Sequence, residues 1–199
     1  MTSPVLDLVV EKWKRQHQGQ PNWVQHYWDS RSLPSRGLVI EGLRSLEPWG
    51  SLAELGCNSG PMLAEIQSAF PETHVAGIEP NLVAARAAQS YLGERVPIFY
   101  GSLQEWLADE PLVDVLVTHY TLAYIAPSQL RPILADMCHS AKRGLVLAEP
   151  MGPEALIWEF PEWRHDYVTV LQSLGLTDFT TAPVEGVGNL NAILVARCS

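Results

Sequence analysis

The sequence predicts a doubly wound α/β domain, a mostly parallel sheet with helices on both faces. Three observations carry that prediction. From residue 50 onward, short apolar runs alternate with stretches of helical periodicity. The helical stretches are long enough to carry the chain back over a sheet, which implies βαβ units and parallel strands covered on both faces. The first apolar run, "SLAEL", passes through "GCNSG" into a helical pattern, so a two-glycine turn joins a strand to a helix.

The elements follow in order. The 199 residues suit a single domain 1–199, with residues 1–47 as a helical extension and 50–199 as the core. Val5, Leu8, Val9 and Trp13 share one helix face, and Pro21-Asn22 breaks that pattern. A short second helix carries Trp23, His26, Tyr27 and Trp28. Pro34-Ser35 starts a third, with Leu38, Ile40 and Leu43 turned inward. In the core, "SLAEL" is a strand and "GPMLAEIQSAF" a helix that Pro71 ends. "HVAGIE" is a strand, "NLVAARAAQSYL" a helix and "VPIFYG" a strand. "VDVLVTHY" is a strand, "SQLRPILADMCHSA" a helix and "GLVLAEP" a strand. A helix over about Trp163 to Leu174 precedes "DFTTAPV" and "NAILVARC", an antiparallel pair at one edge that brings the sheet to seven strands.

Composition narrows the function classes. With 47% hydrophobic and 18% charged residues the chain is globular rather than disordered. Its net charge is -9 and no lysine or arginine stripe gathers, which argues against nucleic acid as the main partner. Cys57, Cys138 and Cys198 are scattered without CxxC spacing, so neither a disulfide framework nor a metal site is expected. The start lacks a signal-peptide pattern, and no apolar run reaches the ~18 residues that span a bilayer. A soluble protein of the cytoplasm is the expectation.

Ligands of such sheets bind beyond the carboxyl ends of the strands. Gly56, Cys57, Asn58, Ser59 and Gly60 stand at that position, small enough for a ligand to lie against backbone; a plain tight turn is the other reading. Nineteen residues past Gly60, Glu79 ends the second strand, where a carboxylate accepts hydrogen bonds from two ribose hydroxyls. Alternatively Glu79 is a charge at a helix N-terminus with Pro80 as first helical residue. Glu54 separates two cofactor classes. A dinucleotide needs GxGxxG and room for a diphosphate, whereas here Asn58 takes the second glycine's place and a carboxylate faces the same mouth. That arrangement suits a cationic ligand.

"AELGCNSG" followed by "GIEP" resembles motif I and the acidic loop of class I S-adenosylmethionine-dependent methyltransferases, and is similar to small bacterial members with an "ELGCNSG" motif I. "VDVLVTHYTLAYI" resembles the fourth-strand motif of that family and "GLVLAEP" the fifth. The likeness covers roughly residues 27–150 and implies a Rossmann-like fold with S-adenosyl-L-methionine as cofactor. By that resemblance Glu54 and the Gly56–Gly60 turn hold the amino-acid end and sulfonium region, and Glu79 takes the ribose, bordered by Pro80 and Asn81. Ser102 and Leu103 stand where the family frequently has an acid beside the adenine; Thr118 and His119 leave the fourth strand close to the methyl group.

A hydroxyl acceptor needs a base, and an amine needs only to arrive unprotonated. His119 and His165 are the catalytic candidates; each is alternatively a structural residue, His119 packed at a strand end and His165 beside a helix cap at Asp166. Seven tryptophans are many for this length. Trp23, Tyr27 and Trp28 on one side, and Trp158, Phe160 and Trp163 on the other, are placed to close a dry pocket over a small-molecule acceptor, unless they are simply core. Tyr27 and Trp28 are expected against the methionine moiety, with Arg31 or Arg36 near its carboxylate. Two other readings compete: a cofactor-binding module without catalysis, and a nicotinamide-dependent oxidoreductase. The acceptor and the oligomeric state are not legible.

Overall fold

The computed structural model describes residues 20–157, 162–187 and 190–198. The expected first helix, with Val5, Leu8, Val9 and Trp13, lies outside the described residues, as do Trp158 and Phe160.

Among the described residues two α-helices precede the sheet, α1 (Trp23–Asp29) and α2 (Pro34–Arg44), the latter starting on a proline that needs no N–H partner in the first turn. The core then runs β1 (Ser51–Leu55), α3 (Pro61–Ala69), β2 (His74–Glu79), α4 (Leu82–Leu92), β3 (Ile98–Tyr100), α5 (Leu103–Ala108), β4 (Val113–His119), α6 (Pro127–Ser140) and β5 (Ala141–Glu149). A small pair, β6 (Ala155–Leu156) and β7 (Trp163–Arg164), leads to α7 (Tyr167–Ser173), β8 (Phe179–Val187) and β9 (Leu190–Arg197). The seven-stranded sheet has the order β3-β2-β1-β4-β5-β9-β8. Strands β1 to β5 run parallel to one another, and β9 runs antiparallel to both β5 and β8. The predicted doubly wound α/β sheet with an antiparallel pair at one side is therefore the observed architecture.

Alternation along each strand divides the core in two. Leu52, Val115, Val117 and Val146 point to one face and meet Val39 and Leu43 of α2 and Met62, Leu63 and Ile66 of α3. Ala53, Leu55, Leu116, Leu145 and Leu147 point to the other, against Leu103 and Leu107 of α5, Ile133, Leu134 and Met137 of α6, and Tyr167 and Leu171 of α7. Asp114 ties the lower ends together, its Oδ2 accepting the Gly50 and Ser51 N–H groups at 2.7 and 3.0 Å.

The structure corrects one sequence expectation, refines a second and adds an element. The helix expected over about Trp163 to Leu174 begins only at Tyr167. Asp166 caps it, accepting the Thr169 N–H at 3.0 Å, while Trp163 and Arg164 pair with Leu156 and Ala155 in an extended strand. On α2 the sealed positions are Ser35, Arg36, Val39, Gly42 and Leu43, and Leu38 and Ile40 are only partly covered. Helix α5 had no counterpart in the sequence reading. It is announced by a capping box, in which the Ser102 hydroxyl accepts the Glu105 N–H at 3.1 Å and Glu105 accepts the Ser102 N–H at 2.8 Å. No helix among the described residues is long and apolar enough to cross a membrane.

Candidate functional site

The parallel strands end together, and Glu54, the Gly56–Gly60 turn, Glu79 and His119 lie at the ends of β1, β2 and β4, while others of the residues singled out in the sequence lie elsewhere. Between β1 and α3 the chain turns in five residues with φ +78° at Gly56, +50° at Asn58 and +83° at Gly60. Asparagine is among the few non-glycine residues that enter the left-handed region readily, and the Asn58 Oδ1 secures it by accepting the Ser59 N–H at 2.7 Å. A side chain at Gly56 has no room, since a Cβ there lies 2.4 Å from the Thr121 Oγ1. The turn is stitched to β2, because the Ile78 carbonyl accepts the N–H groups of both Gly56 and Cys57 at 2.8 and 3.0 Å.

Two acids stand against this turn. Glu79 is 7% exposed and uses both oxygens, accepting the Asn58 N–H at 2.8 Å and the Asn81 N–H at 2.7 Å. A carboxylate has about four acceptor positions, so these two bonds leave others for a ligand. Burial raises its pKa to about 7 against the pull of the two N–H donors. Glu54 is 2% exposed, and its Oε2 has no hydrogen-bond partner. Burial pushes it up to about 8, although the Arg36 guanidinium nearby draws it down. A sealed carboxyl oxygen without a donor is costly in a finished fold, and it marks a place where a donor or a cation belongs.

Arg36 links the N-terminal helices to the mouth. Buried on α2, it donates from Nε to the Ser30 carbonyl at 3.0 Å and from an Nη to the Ser30 Oγ at 2.8 Å, and its charge acts on Glu54, Tyr27 and His119. His119 ends β4 with Nε2 3.3 Å from the Ser35 Oγ. Burial, and then Arg36, lower its pKa to about 3, so the imidazole is neutral at physiological pH. Helix α1 crosses the turn, the Ser59 Oγ donating to the Val24 carbonyl at 3.3 Å. Burial, Glu162 and Glu79 hold the Tyr27 phenol up to about 12. Trp28 takes a different place from Tyr27. It stacks on Tyr91 of α4 with centroids 4.4 Å apart, and the Arg31 guanidinium lies 4.2 Å from its ring centre.

Glu149, fully buried at the end of β5, organises the loop after β4. Its Oε1 accepts the N–H groups of Thr121 and Leu122 at 2.9 and 3.1 Å, and its Oε2 accepts that of Ala123 at 3.3 Å. The sealed Thr118 lies beside it. Tyr120, the residue between β4 and this loop, has φ +57°, a strained value for a bulky side chain. Its hydroxyl donates to a Glu162 oxygen at 3.1 Å, and that of Tyr124 donates to the other at 3.3 Å. Glu149, Tyr124 and Glu162 were missed in the sequence, and no local pattern marks them; they meet only because β5, the loop after β4 and the segment before β7 converge.

Other candidates are engaged elsewhere. His165 is 1% exposed, with Nε2 3.1 Å from the Ile125 carbonyl and its ring edge-on to Tyr167; burial lowers its pKa. Among the described residues no hydrogen bond joins it to Glu54, Glu79 or His119. The Ser102 hydroxyl serves the α5 cap, and Leu103 is buried in the core under that helix. Cys57 is sealed, its thiol pKa raised by burial. Pro80 borders Glu79, half-buried.

No family model matches the chain. Over 128 residues it is 26% identical to the trans-aconitate 2-methyltransferase of Deinococcus radiodurans, a match covering 64% of this chain and 47% of that protein. The chain thus spans about half the length of this curated relative. Its fold resembles that of an O-methyltransferase family protein from Burkholderia thailandensis, with a TM-score of 0.70 and 16% identity over 94% of this chain and 63% of that one. It also resembles a magnesium protoporphyrin IX methyltransferase from Synechocystis PCC 6803 with bound SAH, with a TM-score of 0.67 and 17% identity over 95% and 93% of the two chains. The architecture is the Rossmann-like α/β fold of these methyltransferases.

Proposed function

We propose that the chain is an S-adenosylmethionine-dependent methyltransferase acting on a small molecule. The observation that carries this reading is the partnerless oxygen of Glu54, buried at a bare glycine turn beside Glu79. The donor set fits the cofactor: a buried acid for the cationic amino-acid end, and backbone without side chains along Gly56 to Gly60. A second acid with spare acceptor positions serves the ribose. Bound there, the cofactor supplies a methyl group activated by a sulfonium.

The chain's own residues bind, orient and exclude water. Arg36 has donors left after its bonds to Ser30 and stands near Glu54, a fit to the cofactor's carboxylate. Thr118 and His119 border the reacting end. Tyr27 on α1 shields the mouth from above, and methyl transfer gains its rate from such positioning and dryness. A net charge of -9 favours a small acceptor over nucleic acid, and three free cysteines favour the reducing cytoplasm.

Calorimetry with S-adenosylhomocysteine tests the reading. Binding is expected, and Glu79→Ala weakens it by about 1–3 kcal/mol through the lost charged hydrogen bonds. A wild-type protein that binds NADH but not S-adenosylhomocysteine sinks the proposal.

A further inference from the structure

We infer that Glu162, held between the phenols of Tyr120 and Tyr124, is an acceptor-recognising residue, and that it selects a small amine over a carboxylate. This rests on the methyltransferase reading above and adds the chemical class of the acceptor.

Three segments build the subsite. The loop after β4 brings Tyr120 and Tyr124, whose ring centroids lie 6.1 Å apart, and the approach to β7 brings Glu162. Tyr27 joins them from α1, within reach of the Glu162 and Glu79 charges together. Thr121 of the same loop faces Gly56, so the loop that carries the two tyrosines borders the glycine turn. The left-handed Tyr120 is held by the Tyr120 N–H to Ala148 carbonyl bond at 2.9 Å and by the anchorage of the next three residues on Glu149. Strain maintained this way aims a side chain, and here it aims a phenol at a carboxylate.

The chemistry of the subsite is one-sided. Two phenol donors satisfy part of the Glu162 carboxylate, and its remaining lone pairs accept only donors. The negative faces of the tyrosine rings add to the attraction for a cationic or N–H-bearing nitrogen. Glu54, Glu79 and Glu149 share this end of the sheet. The described cations nearby have other partners: Arg36 holds Ser30 and, on the reading above, keeps its remaining donors for the cofactor's carboxylate, Arg31 lies on the Trp28 ring and carbonyl, and Arg164 donates to the Pro153 carbonyl. A polycarboxylate such as trans-aconitate meets no matching fork there. A neutral amine would donate an N–H to Glu162 and spend its lone pair on the new N–C bond as the S–C bond of the sulfonium breaks and leaves a neutral thioether, and the positive nitrogen of the product is matched by the same carboxylate. Held near 3, His119 is too weak a base to take a proton from an alcohol, and an amine makes no such demand.

The test uses the protein saturated with S-adenosylhomocysteine, after calorimetry has shown that this ligand binds; failure at that step overturns the methyltransferase reading itself. Ligand-observed NMR then compares amines with carboxylates of the same skeleton, 2-phenylethylamine with 3-phenylpropionate and 1,3-diaminopropane with malonate, together with trans-aconitate. The amines are expected to bind about tenfold tighter, as one charge-assisted hydrogen bond implies. Glu162→Gln removes the preference while leaving S-adenosylhomocysteine affinity and melting temperature in place, and Tyr124→Phe, which keeps the charge, retains it. Equal or tighter binding of the carboxylates, no binding of any amine, or a preference undiminished in Glu162→Gln overturns the inference. The wild-type comparison decides the matter even where Glu162→Gln fails to fold.

Discussion

At the scale of the residue, Asn58 shows how a departure from a motif is read physically. The turn requires a left-handed residue between two glycines, and φ +50° with the Oδ1 bond to the Ser59 N–H makes asparagine a working substitute. Asn58→Gly is expected to keep both cofactor affinity and stability, whereas Asn58→Val costs about 1–2 kcal/mol in chemical denaturation, the penalty for a branched side chain in that region. An unchanged midpoint for the valine variant contradicts this account. Glu54, Glu79 and the glycine turn were legible because strand, turn and acid sit close in sequence and each has a local signature. Glu149 and Glu162 were not, because nothing beside them in the chain announces a partner; their roles come from loops 28 to 42 residues away.

Among the elements, the pair β6 and β7 was missed, and β5 starts three residues before and β8 ends three residues beyond the expected bounds. Strands β1, β2, β4 and β9 were read to within a residue, since apolar runs bounded by turns leave little freedom of register. Helix α5 was not, because six residues make too short a pattern for periodicity. The sign that was available is "SLQE", a serine followed three residues later by glutamate. This capping box gives Ser102 a definite test. Ser102→Ala is expected to lower stability by about 1 kcal/mol, seen as a drop in melting temperature, with little change in S-adenosylhomocysteine affinity. The reverse outcome, full stability with lost affinity, restores the residue to the adenine contact that the family resemblance implies. Helix α7 was misjudged in length for a related reason: Asp166 fixes its start, and the bulky residues before it belong to β7.

For the whole molecule, sealed carboxyl groups at one end of the sheet govern the response to pH. Burial raises Glu54 to about 8 and Glu79 and Glu149 to about 7, whereas unfolded glutamates release their protons near pH 4.3. Above that pH the folded chain holds more protons than the unfolded one, so stability falls as pH rises through the raised values. His119 and His165 act in the opposite sense, but only below about pH 6.5, where unfolded imidazoles bind protons that the buried rings refuse. The melting temperature of the ligand-free protein is therefore expected to decline from pH 6.5 to 8, and Glu149→Gln to make that decline shallower; a rise over the same interval contradicts the assignment. The sheet order bears on a different stage of the protein's life. Strand β9 sits between β5 and β8 although residues 190–197 follow both in the chain. Until that segment has been made, β5 presents a row of unpaired N–H and C=O groups beside the apolar Leu145 and Leu147. At about 5–20 residues per second, a ribosome leaves this edge open for several seconds while the rest of the chain emerges. During that interval the nascent polypeptide is open to strand pairing with its neighbours on a polysome, and it is then that a chaperone has most to protect.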